Sequence, residues 1–97
     1  MTFRDFQSSL KNSTLPADLP PLLEALWYDA RGDWEQAHNI AQDVHSEDGS
    51  WIHAYLHRKE GDLGNAAYWY RRAGRPVAKG SLEDEWDQIA RALLGDV

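Results

Sequence analysis

The sequence predicts an all-α fold of five to six short helices, and two observations favour this class. Apolar residues recur every three or four positions along almost the whole chain, which is the spacing of an α-helix with one buried face. No stretch shows the sustained alternation of apolar and polar residues that a half-buried strand requires. Because 97 residues are enough for one small domain, we expect a single helical domain over residues 1–97.

Apolar stripes place the first two helices in the N-terminal third of the chain. Phe3, Phe6 and Leu10 share one helical face near the N-terminus. Pro20 and Pro21 directly precede the next stripe and fit a first helical turn, where the missing N–H of a proline costs no hydrogen bond. We therefore expect a terminal helix, followed by a second helix that begins at the two prolines.

Capping and turn residues separate the later helices. Asp33, Asp62 and Ser81 each stand directly before an apolar stripe, and short polar side chains of this kind cap helix N-termini. Gly32 and Gly61 lie where one helix has to end before the next begins, a position that favours glycine. These residues predict short turns between helices that fold back on one another.

An internal repeat supports this arrangement. A shift of 29 residues superimposes Ala, Gly, Asp and Ala at positions 25, 32, 33 and 37 on the same residue types at 54, 61, 62 and 66. Small alanines allow helices to approach closely, and Gly-Asp supplies the turn and the next cap. We predict two antiparallel hairpins, at about 18–45 and 48–74, flanked by the N-terminal helix and by a C-terminal helix at about 82–94.

The repeated segments resemble tetratricopeptide-type repeats. Each segment begins with an alanine, at position 25 or 54, and seven residues later it has Gly-Asp followed by Trp or Leu. A second alanine follows three residues after the Trp or Leu and ends the pattern, which covers residues 25–37 and 54–66. In tetratricopeptide-like proteins the first helix of each hairpin lines a concave face that binds peptides, so the resemblance implies such a face here. Residues 56–74 also resemble a small uncharacterised family of short bacterial proteins, a likeness that implies no activity.

Carried onto this chain, the peptide-binding face presents Leu26, Asp29, Trp51, Tyr55 and Arg58. Trp, Tyr and Arg are the residue types that dominate interaction hot spots. The alternative is that a terminal helix fills the groove and makes these residues part of the core. Since the chain has no complete catalytic motif, the first hypothesis is a non-enzymatic module without a cofactor, which binds a protein or peptide partner or a second copy of itself.

A second hypothesis is a helical protein that binds a divalent metal or a small ligand. His53, His57 and Glu60 stand at i, i+4 and i+7 and therefore share one helix face, as metal-binding side chains on a helix do. His38 and His45 lie on the preceding helix, from which they can approach this face. The alternative is that these histidines pack and form hydrogen bonds locally, without a metal.

A basic segment offers a third candidate site. Arg71, Arg72 and Arg75 lie among aromatic residues in a stretch, residues 68–79, that contains no acidic side chain. Aromatic rings beside arginines favour an anionic peptide or a phosphate-bearing ligand. The alternative is that these cations complement the C-terminal end of a helix dipole and pair with the acidic remainder of the chain.

Composition excludes several function classes. The chain has no Cys, which excludes disulfides, Cys-ligated metal sites and thiol catalysis. Its formal net charge of −6 argues against general nucleic-acid binding. No apolar run is long enough to span a bilayer and the N-terminus lacks the apolar stretch of a signal peptide, so we expect a cytoplasmic protein without a membrane partner.

Overall fold

Six α-helices and no strand form residues 1–95, the part of the chain that the computed structural model describes. The helices are α1 (Phe3–Ser9), α2 (Pro21–Ala30), α3 (Trp34–Gln42), α4 (Glu47–Glu60), α5 (Leu63–Arg72) and α6 (Leu82–Leu94). The prediction of an all-α fold with five to six helices is confirmed. No helix in the described range has both the length and the apolar character needed to cross a bilayer.

Side-chain caps begin the helices where the sequence predicts them. Asp33, Asp62 and Ser81 each accept a hydrogen bond from the backbone N–H three residues later, at the start of α3, α5 and α6. Thr2 before α1 and Ser46 before α4 are two further caps of the same chemistry, which we did not predict from the sequence. Short-range capping chemistry therefore accounts for five of the six helix starts, and Pro21 begins the remaining one, α2.

Glycines allow two tight turns between helices and one close contact at the start of α4. Gly32 and Gly61 have φ angles of +85° and +89°, which a side chain disfavours, and they turn the chain from α2 into α3 and from α4 into α5. Gly49 lies inside α4 against the preceding turn, and a Cβ there would stand 2.1 Å from the carbonyl oxygen of Val44. Its missing side chain lets the first turn of α4 pack directly against the chain that leaves α3.

Helix α4 is the central element. α2 packs on α3 and α4 packs on α5, as two consecutive pairs, while α4 also contacts α2, α3 and α6. Every residue of α4 from 49 to 57 is buried as a result. Trp51 and Tyr55 of α4 bond to residues of α6 and α2, whereas His53 on the opposite side contacts α3 and α5, so polar groups in the middle of α4 are enclosed on both sides.

Candidate metal centre

Three histidines from two neighbouring helices meet beside α5. His38 projects from α3, while His53 and His57 lie one turn apart on α4. One ring nitrogen from each histidine lies within 4.8 Å of those from the other two. His53 and His57 are buried and His38 is half-buried, so the cluster sits at the edge of the interior.

We call His38, His53 and His57 the histidine cluster. Two tryptophans flank it. The ring of Trp34 stacks on His38 with centres 4.9 Å apart, and its indole N–H donates to the carbonyl of Leu56 over 2.8 Å. Trp69 from α5 stacks on His53 at 3.9 Å between ring centres. Both tryptophans are half-buried and pack against the edge of the hydrophobic core, where they stack on the two imidazoles.

Hydrogen bonds orient the three rings. The Nε2 atoms of His38 and His53 lie 2.9 Å apart, so one ring donates a hydrogen bond through its N–H and the other accepts it through its lone pair. His57 donates from Nδ1 to a carboxylate oxygen of Glu60 over 2.6 Å. That bond leaves Nε2 of His57 as the nitrogen available for a metal ion.

Burial favours the uncharged form of these imidazoles. Burial, followed by the nearby His38 and His57, lowers the pKa of His53 to about 4. Burial, followed by His57, also lowers the pKa of His38, while Glu60 acts in the opposite direction. Both rings are therefore neutral at pH 7 and carry a lone pair on one nitrogen.

The position of Glu60 differs from the sequence prediction of a His53, His57 and Glu60 ligand set. Glu60 is exposed at the end of α4 and reaches back to Nδ1 of His57, while His38 from α3 supplies the third nitrogen of the cluster. His57, Glu60 and Asp62 form a second group whose ligand atoms lie within 4.8 Å, but both of its carboxylates are exposed. Helical spacing within α4 could not show which residue of α3 lies opposite.

Helix α6 covers the face that the sequence offered for partner binding. Leu26, Trp51 and Tyr55 expose no more than 4% of their surface. The indole N–H of Trp86 on α6 donates to the carbonyl oxygen of Leu26 over 3.1 Å. Of the two alternatives that the sequence left open, the structure shows the one in which a terminal helix fills the groove.

Glu85 of α6 binds the polar groups of this covered face. It is 2% exposed and accepts hydrogen bonds from the indole of Trp51 at 3.1 Å and the hydroxyl of Tyr70 at 2.6 Å. Arg58 adds an ion pair to the same carboxylate at 2.9 Å. Burial, followed by the bond to Glu85, raises the pKa of Tyr70 far above its usual range, so the hydroxyl remains a donor. The sequence carried no signal for this role, because Glu85 stands in the acidic run Glu83-Asp84-Glu85 of the first helical turn and nothing in that run marks one member as buried.

Asp29, the remaining residue of the predicted partner face, is also 2% exposed and paired inside the chain. Its carboxylate accepts from the hydroxyl of Tyr55 at 2.7 Å and from the ammonium of Lys59 at 2.8 Å. Burial, followed by the charge of Asp29, raises the pKa of Tyr55 far above its usual range. These pairs tie α2 to α4 beneath α6.

The three arginines proposed for anion binding do not form one site. Arg75 lies over the ring of Trp51 with its guanidinium carbon 3.4 Å from the ring centre, whereas Arg72 lies over Trp69 at 5.3 Å. Arg71 is exposed. Consecutive helical positions point about 100° apart and Arg75 follows the end of α5, so the three guanidinium groups diverge.

Comparison with known proteins identifies no relative. No family model, curated protein or solved structure matches the chain. The resemblances drawn from the sequence therefore stay predictions, and the side-chain geometry has to indicate the function.

Proposed function

We propose that the protein binds a divalent first-row transition metal, zinc above all, through the histidine cluster. The observation that carries the proposal is the convergence of three ring nitrogens within 4.8 Å. Imidazoles bind zinc at about 2.0–2.1 Å, which places neighbouring nitrogens of a tetrahedral site about 3.3 Å apart. The 2.9 Å between Nε2 of His38 and Nε2 of His53 needs only a small widening to admit an ion between them.

Glu60 supports the proposal through its bond to His57. A metal-ligating histidine commonly donates its other ring N–H to a carboxylate, which fixes the tautomer and makes the ligating nitrogen more basic. The 2.6 Å contact between Nδ1 of His57 and Glu60 has this form. In this arrangement Glu60 is a positioning residue for His57 rather than a ligand.

The protonation state of the apo cluster also suits metal binding. A metal ion competes with a proton for the lone pair of an imidazole, so a low pKa reduces that competition at pH 7. The lowered pKa values of His38 and His53 meet this condition. Because the chain has no thiolate to offer, nitrogen ligands favour zinc, cobalt, nickel or copper.

Zinc titration of the metal-free protein by isothermal calorimetry tests the proposal. We expect saturable binding and a higher melting temperature with zinc, and we expect His53→Ala to weaken binding by at least about 100-fold, since it removes a ligand rather than a supporting group. His38→Gln, at a half-buried position, serves as a second variant that is better tolerated by the fold. Gln36→Ala is the control, because it removes an exposed polar side chain of α3 that lies outside the cluster.

Two results would contradict the metal site. One is a wild-type protein that gains neither heat of binding nor thermal stability from zinc. The other is equal zinc affinity in wild type, His38→Gln and His53→Ala.

The interaction module that the sequence favoured stays a prediction. A protein or peptide partner, or a second copy of the chain, that used Trp51 and Tyr55 would have to displace α6 from them. The metal hypothesis requires no such rearrangement, and it is preferred for that reason.

A further inference from the structure

A cavity of about 400 Å³ lies next to the histidine cluster and shares His53 with it. The end of α3, the turn into α4, the first half of α4 and one face of α5 form its wall. Gln42, His45, Ser46 and Arg72 line it and are exposed, so the cavity reaches the surface. A molecule that enters from solvent therefore approaches the cluster from the side of His53.

The wall of this cavity contains no acidic side chain, although the chain as a whole is acidic. The sequence has 16 acidic residues and a net charge of −6, yet no Asp or Glu lines the cavity. Its polar lining consists of an arginine, histidines, an amide and hydroxyl groups, which are donors to an anion. Arg72 is therefore the one fixed charge among the lining residues, and it is positive although the chain as a whole carries −6.

Arg72 supplies the cation of this wall. Its guanidinium lies over the ring of Trp69, 5.3 Å from the ring centre, and donates to the hydroxyl of Tyr68 at 3.2 Å. No carboxylate within residues 1–95 forms an ion pair with it. Because Trp69 also stacks on His53, the guanidinium and the imidazole contact the same indole ring.

We propose that this cavity binds a small oxyanion, a phosphate or a carboxylate, that bridges the metal and Arg72. The inference rests on the proposed metal site. Three protein ligands leave a fourth position open on a tetrahedral ion, and three neutral imidazoles leave its double positive charge uncompensated. One oxygen of the anion takes that position while another accepts from the guanidinium, which holds carboxylates and phosphates well because its N–H groups form a planar fork.

Cobalt substitution separates this inference from the metal site itself. Protein loaded with Co²⁺ absorbs in the visible range, and the band shapes report the ligands and the coordination number. We expect inorganic phosphate, acetate or both to change the spectrum in a saturable manner at constant ionic strength. Arg72→Gln should weaken that response about tenfold, the order of effect of losing one charge-assisted hydrogen bond, while leaving cobalt affinity unchanged.

Arg71→Gln is the matched control, since it removes the same charge from the adjacent, exposed position of α5. Equal anion affinity in the two variants and the wild type overturns the bridging role of Arg72. Cobalt binding without any response to phosphate or acetate overturns the anion site and leaves the metal site standing. Failure of cobalt and zinc to bind overturns both.

Discussion

The carboxylate of Glu60 lies 2.6 Å from Nδ1 of His57, one helical turn away at the end of α4. Because this contact occupies Nδ1, the buried imidazole has Nε2 left to offer to the metal we propose. The exposed end of a helix thereby controls the orientation of a ring in the interior.

Removal of Glu60 tests the pair directly. We expect Glu60→Ala to lower zinc affinity by about 10–100-fold, the range typical of carboxylates that support a histidine ligand. Glu35→Ala, which removes an exposed carboxylate from α3, should leave the affinity unchanged. Calorimetric titration of both variants provides the measurement, and equal loss in the two would show only a general effect of charge.

Acid should destabilise the metal-free protein through His53. The folded-state pKa of about 4 lies below the ordinary 6.5, so the unfolded chain binds more protons between these values. The contribution of the neutral ring to the free energy of unfolding is therefore complete above pH 6.5, and it is lost progressively as the pH falls toward 4. For a pKa shift of this size the loss is roughly 3 kcal/mol. Urea unfolding at several pH values between 7 and 4 measures this loss of stability.

A His53→Gln variant isolates this effect from the titration of carboxylates. The charged or titratable groups around His53 are His38 of α3, His45 of the following turn, His57 and Glu60 of α4, and Arg72 beside Trp69 on α5. All of them remain in the variant, so its stability should fall less steeply with acid than that of the wild type. Identical slopes would exclude His53 as the source.

Glu85 should be essential for the docking of α6. Glu85→Ala leaves Arg58, Trp51 and Tyr70 without their shared acceptor, and breaking a buried ion pair in this way costs about 3–5 kcal/mol. Glu83→Ala, at an exposed position on the same helix, should cost less than about 1 kcal/mol. Chemical denaturation of both variants measures the difference, and similar midpoints would contradict a structural role for Glu85.

Gly49 and Gly64 should respond oppositely to the same substitution. A Cβ at position 49 would overlap the carbonyl of Val44, so Gly49→Ala should destabilise the protein by about 1–3 kcal/mol. Nothing lies within 4 Å of a Cβ at position 64 in α5, where Gly64→Ala should stabilise by about 0.5–1 kcal/mol. Melting temperatures of the two variants measure these effects. Equal shifts in melting temperature would contradict a special requirement for glycine at position 49.

Local chemistry made the helices predictable. Asp33, Asp62 and Ser81 cap them because each side chain reaches a backbone N–H only three residues away. The C-terminal helix, Leu82–Leu94, follows the expected bounds closely. Such interactions depend on a few neighbouring residues and are therefore visible in the sequence.

The candidate site was only partly predictable. His53 and His57 share a face by helical spacing alone, so the sequence identified them. His38 takes the place in the cluster that the sequence assigned to Glu60, because α3 packs against α4, a long-range contact that spacing within α4 does not show. Trp34 and Trp69 belong to apolar stripes, and nothing in the stripes indicates that they stack on imidazoles.

Apolar spacing and capping residues were sufficient to predict the fold class, most helix starts and the two histidines that share one face of α4. The packing of the helices against one another was needed to show that α6 covers Trp51 and Tyr55, that Glu85 bonds to the polar groups there, and that three imidazoles meet on the opposite face of α4. The physical reason is that apolar burial has no direction. An amphipathic stripe shows that a helix face will be covered, whereas the shapes of all the helices together determine which element covers it.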